Sequence, residues 1–537
     1  MDAHLEEPRH RESATTKTKT GADVRWGDLP NKDQLFILAL CRLSEPLSNV
    51  CLLPYIFYLV RSVLPTSEDD NSKDKPAARI SEYSGVLVAA FPLAQCIVSL
   101  PWGRLSDKHG RRFSIIGGLF ISVIANIGFG ISQSFGALLF WRILAGLANG
   151  NVSIMRTVTA EVVIERKYQT KAFLLLPLVF NSGMVLSLAL GGCLAEPVIN
   201  LPALFGPNGV FNSSGNPEGV VWALMYPYAL PALLNASLLG TALFLAVLGL
   251  KETLPGKEEH SDWGLRAGRV ISRLVMRIWN RGPAYHKYAV MQDSEESTFL
   301  ADRQLRAEKT ESLDAITDSA KVAFRNIWTR KVISALISFG LLPLHNSAFM
   351  HIFPVYLSSP PADNTEATLF AFSGGLGLRS ATIGLWLATF GIGGILLQLF
   401  IYPRLQKRIG TRGVFRIALC IFPVTYLAAP YLSLLAGDHG ARWVFLGFVV
   451  CAQIMARTMA IPSTVILLTE AAPARTVLGT IHGAGNMLAS LARAVGPAVG
   501  GYVFALGVEE GVIGLVWWLY LVGVALCALA WSYFTGG

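Results

Sequence analysis

The sequence is poor in charge. Only 15% of its 537 residues are Asp, Glu, Lys or Arg, whereas 52% are hydrophobic. A water-soluble globular protein needs roughly 25% charged residues to cover its surface. The hydrophobic residues also occur in runs of about 20, the length at which a helix crosses a hydrocarbon core. The composition therefore argues against a soluble enzyme or binding domain and predicts a protein embedded in a membrane.

Several chemical motifs are missing as well. The 7 cysteines are scattered singly, which supports neither a zinc site nor a disulfide framework. The sequence has no G-x-x-x-x-G-K-[ST] loop for ATP, no H-E-x-x-H and no nucleophile elbow. We therefore expect no enzymatic activity, no metal and no cofactor. The net charge of +9 is spread over many loops, so we do not expect nucleic acid as a partner.

The apolar runs predict an all-α membrane protein with twelve transmembrane helices in two six-helix bundles. We place the spans at 34–62, 80–102, 113–133, 136–163, 171–196, 226–250, 332–357, 381–403, 414–435, 442–469, 475–505 and 511–535. This pattern divides the chain into a cytosolic tail (1–33), a first bundle (34–250), a cytosolic linker loop (251–331) and a second bundle (332–537).

The basic residues predict the orientation. Lys and Arg are concentrated in the tail and in the loops at 102–112, 251–331 and 404–416, and they are sparse in the intervening loops. Because cytosolic loops are enriched in Lys and Arg, we predict that both termini are cytosolic. The outward loop at 197–225 contains a sequon that makes Asn212 a glycosylation candidate. The plasma membrane and the vacuolar membrane both stay open as locations.

The loop after the second span has an ordered pattern of glycine, acidic and basic residues. It reads Gly103-Arg104-Leu105-Ser106-Asp107-Lys108-His109-Gly110-Arg111-Arg112. The glycines allow close or left-handed backbone, and the arginines suit anionic head groups. The pattern closely resembles the loop 2–3 signature of the major facilitator superfamily, and the resemblance extends over essentially the whole chain. It implies a gating role for Gly103, Asp107, Gly110, Arg111 and Arg112.

Other segments narrow the resemblance. The stretch from Arg142 to Gly150 is similar to the superfamily's second motif, whose arginine is associated with proton-coupled members. Segments at 42–46, 156–161 and 478–483 resemble a drug:proton antiporter-like branch that includes fungal exporters and plant zinc-induced-facilitator-like proteins. The fifth span departs from that branch, because Ser187-Leu188 stand where Gly-Pro is expected. This departure removes one of the motifs that would indicate export.

Ionisable residues within the spans are costly and are candidates for function. Arg42 and Glu45 are three residues apart and therefore share a helix face. They form either a structural ion pair or a site at which Glu45 takes up and releases a proton. The resemblance adds Arg142 as a third candidate for proton coupling. We expect Asp107, Glu45 or Glu161 as counter-charges for the arginines of the fourth span.

A second group of polar residues is predicted to line the path of the solute. In the fourth span, Arg142, Asn149 and Arg156 fall on one helical face. A single membrane histidine is also consistent with a packing role. The substrate-pathway candidates are Arg156, Asn149, His345, Arg457, His482, Asn486 and Arg493. Their charge is cationic on balance, which favours anionic or zwitterionic solutes.

The sequence as a whole predicts a monomeric secondary transporter that moves a small organic solute by alternating access, with protons as the coupling ion and export as the direction. One alternative is a uniporter or importer of a nutrient-like solute. Another is a membrane receptor of transporter fold that binds a ligand without moving it.

Overall fold

The computed structural model describes residues 29–64, 75–163, 166–213, 215–254, 264–271, 327–362, 368–473 and 477–534. Most of the predicted tail (1–33) and linker loop (251–331) lies outside these ranges. The predicted domain boundaries therefore stay a prediction.

Twelve mostly helical segments, α1 to α12, run side by side. The first half consists of α1 (Lys32–Arg42, Ser44–Asn49 and Ile56–Val63), α2 (Lys75–His109), α3 (Arg111–Gly130), α4 (Phe135–Ala148 and Asn151–Val162), α5 (Arg166–Leu194) and α6 (Ala229–Gly249). The second half consists of α7 (Arg330–Ser358), α8 (Ser380–Leu396 with a π-helical stretch at Leu397–Ile401), α9 (Tyr402–Ala428 with a 3-10 stretch at Ala429–Leu435), α10 (His439–Ala471), α11 (Leu478–Glu509) and α12 (π-helical Val516–Leu521 and Val522–Phe534).

Within the described residues, ten continuous helical stretches are long and apolar enough to cross a membrane. One of them, at 380–435, contains both α8 and α9, and its backbone is non-helical at Gly410, near the start of α9. The broken α1 brings the number of segments to twelve. The prediction of an all-α membrane protein with twelve helices is confirmed.

The first span, predicted over 34–62, is not one continuous helix, because α1 consists of three pieces. Proline has no N–H, so Pro46 cannot donate the helical hydrogen bond that the carbonyl of Arg42 would accept. The helix is interrupted at Leu43 and again over residues 50–55. The second interruption lies next to Ser48, whose carbonyl oxygen accepts a hydrogen bond from Arg142 Nη1 at 2.5 Å.

The fourth span is also broken, between Ala148 and Asn151. The indole of Trp102 from α2 fills the break, because Trp102 Nε1 donates to the carbonyl oxygen of Leu147 at 2.6 Å. A Cβ atom at Gly150 would lie 2.1 Å from this indole, so only glycine fits there. Arg142 and Arg156 therefore lie on separate helical pieces, and the polar face predicted from the sequence is not continuous between them.

The two ends of the bundle are defined by different residues. At one end, which we call the motif end, Asn31 Nδ2 donates to the carbonyl oxygen of Val162 and Gln34 Nε2 to that of Gly249. The turn at Gly110 between α2 and α3 lies at the same end, beside Glu252. The other end, which we call the opposite end, contains the connection between α5 and α6, with short helices at Pro197–Asn200, Pro202–Phe205 and Val221–Met225.

The two halves pack together along two helix pairs, α2 with α11 and α5 with α8. Close approach is concentrated near the opposite end. A Cβ at Gly85 of α2 would lie 2.7 Å from the carbonyl oxygen of Pro497, and one at Gly192 of α5 would lie 2.4 Å from that of Ser380. Small residues at these positions let the two backbones touch.

Candidate functional site

The centre of the molecule holds an ion cluster that spans both halves. Glu45 is only 3% exposed. Its Oε2 accepts a hydrogen bond from Arg42 Nη1 at 2.7 Å, and its Oε1 accepts one from Arg493 Nη1 at 3.0 Å. Arg493 also donates from Nη2 to Ser490 Oγ at 3.0 Å. The carboxylate of the first half is therefore bound by one arginine of its own helix and by one arginine of the second half.

Arg156 of α4 lies near this cluster and interacts electrostatically with Arg42, Glu45 and Arg493. Its side chain is exposed although Glu45 is buried. Space wide enough for solvent therefore reaches the cluster. His482 of α11 is half-buried, and its Nε2 lies 3.1 Å from Thr469 Oγ1.

Arg457 of α10 lies against the first half at a nearby level. Its Nη2 is 3.2 Å from the sulfur of Met184 in α5. One turn earlier on α5, the ring of Phe180 lies under Arg42, with 5.0 Å from Cζ to the ring centroid. Asn181, between them, donates from Nδ2 to Gln398 Oε1 at 3.2 Å. Side chains of α5, a helix of the first half, therefore contact Arg42 of the first half and Arg457 of the second half.

Asn486 and His482 complete the predicted face of α11. They lie one turn apart and share the face of Arg493, seven residues after Asn486. Asn486 is half-buried. The structure therefore brings together three of the predicted candidates around Glu45, namely Arg42, Arg156 and Arg493, whereas His482 and Asn486 lie nearer the start of α11.

Arg142 and Asn149 lie elsewhere, within the first half. Arg142 is 2% exposed, and it donates to the carbonyl oxygen of Ser48 and, from Nη2, to Asn49 Oδ1 at 2.9 Å. The expected carboxylate partner for Arg142 was wrong: among the described residues its hydrogen bonds go to carbonyl and amide oxygens. Asn149 accepts at its backbone oxygen from Gln95 Nε2 at 3.1 Å.

His345 lies inside the second half and away from the cluster. It is completely buried, its Nδ1 is 2.7 Å from Tyr426 Oη, and it packs edge-on against Phe422. These contacts are those of a packing histidine. His351, one of the residues that the sequence did not single out, connects the halves, because its Nε2 lies 3.2 Å from Ser84 Oγ of α2.

The loop motif forms a compact turn at the motif end. Asp107 is hydrogen-bonded to Arg111 Nη1, and Arg111 Nη2 lies 3.5 Å from Glu161 Oε1. Gly110 has a φ of +114°, a conformation that side chains rarely adopt. No atom lies within 4 Å of a Cβ placed at Gly103. The gating role of these residues stays a prediction.

Glu252 completes this turn and was not among the predicted candidates. Its Oε1 accepts from the backbone N–H of Arg111 at 2.9 Å, and its Oε2 accepts from that of Arg112 at 3.1 Å. These two N–H groups open α3, so the carboxylate caps that helix. Oε1 also accepts from the N–H groups of Thr253 and Leu254, both at 3.0 Å. The Glu252-Thr253-Leu254-Pro255 sequence at the end of the sixth span was the available signal.

The gap between the halves opens toward the motif end. Near the opposite end, Tyr58 Oη donates to the carbonyl oxygen of Leu378 at 2.7 Å, and Asn200 Nδ2 donates to Ser380 Oγ at 3.0 Å. Over the described part of the chain, Cys96 Sγ also donates to the carbonyl oxygen of Met487 at 3.5 Å, and Asn181 Nδ2 donates to Gln398 Oε1 at 3.2 Å. The structure is therefore closed at the opposite end.

Two further predictions concern peripheral sites. Asn212 lies in the connection between α5 and α6, where its Nδ2 donates to the carbonyl oxygens of Pro207 and Asn216, each at 2.8 Å. Its glycosylation stays a prediction. Within the described ranges, no three His, Cys, Asp or Glu side chains converge in a way that would hold a metal ion.

Comparison with known proteins agrees with this architecture. Residues 49–378 match the family model of the Major Facilitator Superfamily. The chain is 31% identical over 513 residues to a major facilitator superfamily multidrug transporter, mfsB, of Aspergillus fumigatus, covering 92% of this chain and 81% of the relative. It is 25% identical over 471 residues to the protein Zinc Induced Facilitator-Like 1 of Arabidopsis thaliana, covering 88% and 83%. It is 24% identical over 499 residues to the efflux pump azaK of Aspergillus niger, covering 92% and 86%.

A solved structure shares the fold. The xylose transporter XylE from E. coli, in a partially occluded inward open conformation, superposes with a TM-score of 0.59 at 12% sequence identity, covering 94% of this chain and 98% of that one. The resemblance of the sequence to fungal exporters and plant zinc-induced-facilitator-like proteins is confirmed. The chain is a multi-pass membrane transporter, not an enzyme, and it belongs to the major facilitator superfamily.

Proposed function

We propose that this chain is a proton-coupled secondary transporter that exports a small organic solute by alternating access. The observation that carries the proposal is the binding of Glu45 by Arg42 of the same helix and by Arg493 of the other half. One of these partners moves with Glu45, and the other moves with the second half. The electrostatic surroundings of the carboxylate therefore change whenever the halves change their relative position.

This arrangement couples a proton to the cycle. In the described conformation each carboxylate oxygen of Glu45 accepts an arginine N–H, and both cations favour the charged form. When the opposite end opens, α11 withdraws from α1, and Glu45 keeps only Arg42. Loss of one cation in surroundings of low dielectric favours the neutral acid. Glu45 would then take up a proton at the opposite end and release it at the motif end, while the solute moves the other way.

We further propose that the motif end faces the cytosol, in a plasma or vacuolar membrane. The distribution of Lys and Arg supports this orientation. The names of mfsB, a multidrug transporter, and azaK, an efflux pump, support export. Both halves of the site lie on one chain, which supports a monomer as the transporting unit.

The first experiment identifies the solute and tests export. Metabolites are compared between cells that express the native chain and cells that express Glu45→Gln, both inside the cells and in the medium. We expect at least one solute to be depleted from native cells and enriched outside them. Glu509→Gln is the matched control, because Glu509 is exposed at the end of α11. It should behave as the native chain.

The second experiment tests coupling. The solute so identified is placed in proteoliposomes that contain a pH-sensitive dye, and its downhill flux is recorded together with the pH inside. We expect protons to move against the solute in the native protein and not in Glu45→Gln. Solute flux without proton movement would identify a uniporter. Binding of the solute without flux would identify a receptor.

A further inference from the structure

The gap between the halves carries an excess of positive charge. Arg42 and Arg493 share the single carboxylate of Glu45. Arg156 and Arg457 also lie within the spans. Over the described residues, no carboxylate lies within ion-pair distance of either of these two. Arg156 is exposed, whereas Arg457 is half-buried, and a half-buried cation at membrane depth is costly unless a counter-charge meets it.

Arg457 is the clearest case. The hydrogen-bond acceptor nearest to its guanidinium is the thioether sulfur of Met184, at 3.2 Å, and a thioether is a weak acceptor. The side chain is half-buried, so hydration of the charge is incomplete. A guanidinium presents five N–H groups in a planar fork that matches a carboxylate or phosphonate. Among the described residues, the sulfur of Met184 is the one hydrogen-bond partner of this fork.

The position of Arg457 relative to Glu45 follows from α5. Arg42 lies over Phe180 and Arg457 lies beside Met184, and these two residues of α5 are one turn apart. The two guanidinium groups therefore lie against successive turns, with a rise of about 6 Å between the turns. A small solute is long enough to reach both levels.

A second feature beside Arg457 also points to a ligand. Gln453 lies one turn before Arg457 on α10 and is completely buried. Its Nε2 donates to Asn346 Oδ1 at 3.3 Å, but its Oε1 has no hydrogen-bond partner among the described residues. Buried polar atoms are normally paired. Over the described part of the chain, the level of Arg457 therefore contains a guanidinium bound only by a weak acceptor and a buried amide oxygen without a hydrogen-bond partner.

We propose that Arg457 binds an anionic group of the transported solute, a carboxylate or a phosphonate-like group, and that Arg156 binds it or a second polar group from the other half. This inference deepens the proposed function and rests on it. The solute would then be held by α10 of the second half and α4 of the first half. A bridge of this kind is broken and remade when the halves move, as alternating access requires.

Binding is tested with four small aromatic probes that differ in charge: benzoate, phenylphosphonate, benzamide and benzylamine. The purified full chain in detergent is heated, and unfolding is followed by the fluorescence of its 12 tryptophans. We expect benzoate and phenylphosphonate to raise the unfolding midpoint, and benzamide and benzylamine to leave it unchanged. Failure of both anions to raise the midpoint would overturn the proposal.

Three variants identify the residue responsible. Arg457→Gln should weaken the apparent affinity for phenylphosphonate by about 30-fold, the effect of removing one partner of a buried charge pair. Arg457→Lys keeps the positive charge without the planar guanidinium and should give an intermediate loss of affinity for phenylphosphonate. Arg416→Gln is the matched control, because Arg416 of α9 donates to the carbonyl oxygen of Ser532 and lies over the ring of Tyr533. Equal weakening in Arg416→Gln and Arg457→Gln would overturn the assignment.

The remaining measurements distinguish a lipid phosphate from a soluble anion, and they distinguish failure of the anion site from failure of the proposed proton coupling. Phosphatidylglycerol is added in a parallel measurement. Stabilisation by this lipid without stabilisation by the soluble anions would assign the site to a lipid phosphate and would overturn the proposal that it binds the solute. Glu45→Gln should keep anion binding while losing proton movement. If Glu45→Gln still moves protons and Arg457→Gln still loses the anion, the coupling proposal fails and the anion site stands. If only Glu45→Gln has its expected effect, the anion site fails alone.

Discussion

The contact between α2 and α11 makes the closed opposite end sensitive to a single added carbon atom. At Gly85, a Cβ would lie 2.7 Å from the carbonyl oxygen of Pro497 and 3.3 Å from Gly501 Cα. Both neighbours are backbone atoms, which have no rotamer by which to move aside. Substitution of Gly85 must therefore separate the two helices or open this end.

The magnitude follows from the distance. Ordinary contact begins at 3.4 Å, so alanine requires a retreat of about 0.7 Å, and leucine requires more. Overpacking of this kind costs about 1–3 kcal/mol. For two conformations in equilibrium, that is a shift of about 5- to 150-fold in their ratio. We expect Gly85→Ala to lie near the lower limit and Gly85→Leu near the upper one.

The assay measures the opposite end directly. Spin labels are placed at Leu204 in the first half and Phe370 in the second, both of which are exposed at this end, in a variant without the 7 native cysteines. Pulsed electron resonance then gives the distribution of distances between the labels. Gly85→Ala should add a longer distance, and Gly85→Leu should make it the main population. Transport should fall in the same order.

A control separates this effect from general disruption. Gly240→Leu places the same side chain on α6, where no atom lies within 4 Å of the new Cβ, and the distances should stay unchanged. If Gly85→Leu leaves the native distribution intact, the reasoning from backbone contact is refuted. The same holds if Gly240→Leu lengthens the distances equally.

Two further predictions concern the first half. Arg142→Met should lower the stability of the folded chain by about 3 kcal/mol, since it leaves buried carbonyl and amide oxygens unpaired. Arg142→Lys should lower the stability by less. Equal thermal unfolding midpoints for the native chain and Arg142→Met would contradict this prediction. Glu252→Ala should cost about 1 kcal/mol through loss of the cap of α3, with Glu252→Gln losing less. Hydrogen exchange at the amides of Arg111 and Arg112 measures the second effect, and unchanged protection would show that the cap contributes nothing.

Much of the fold is contained in local sequence. Spans of about 20 apolar residues identify helices without knowledge of their neighbours. The pairing of Arg42 with Glu45 follows from their spacing of three residues. The turn at Gly110 is identified by its own short pattern. Each of these features is decided within a few residues of itself.

Other features depend on residues that are distant in sequence. Arg493 lies 448 positions from Glu45, and no periodicity relates the two. The break in α4 is filled by Trp102, a residue of another helix. The oxygens that bind Arg142 become available because α1 is interrupted nearby, which the hydropathy of that span does not reveal. Packing between helices decides these contacts, and a single sequence does not encode it in a readable pattern.

The four N–H groups that meet at Glu252 have a consequence for the connection between the two halves. The chain leaves α6 at Gly249, but Glu252 holds residues 253 and 254 against the start of α3. The connection is therefore attached to the α2–α3 turn directly after α6, and at Gly268 it lies against the end of α6 again, because a Cβ there would lie 2.0 Å from the carbonyl oxygen of Leu248. The start of the covalent connection and the turn at Gly110 are therefore held together by one carboxylate, so a displacement of either one is transmitted to the other.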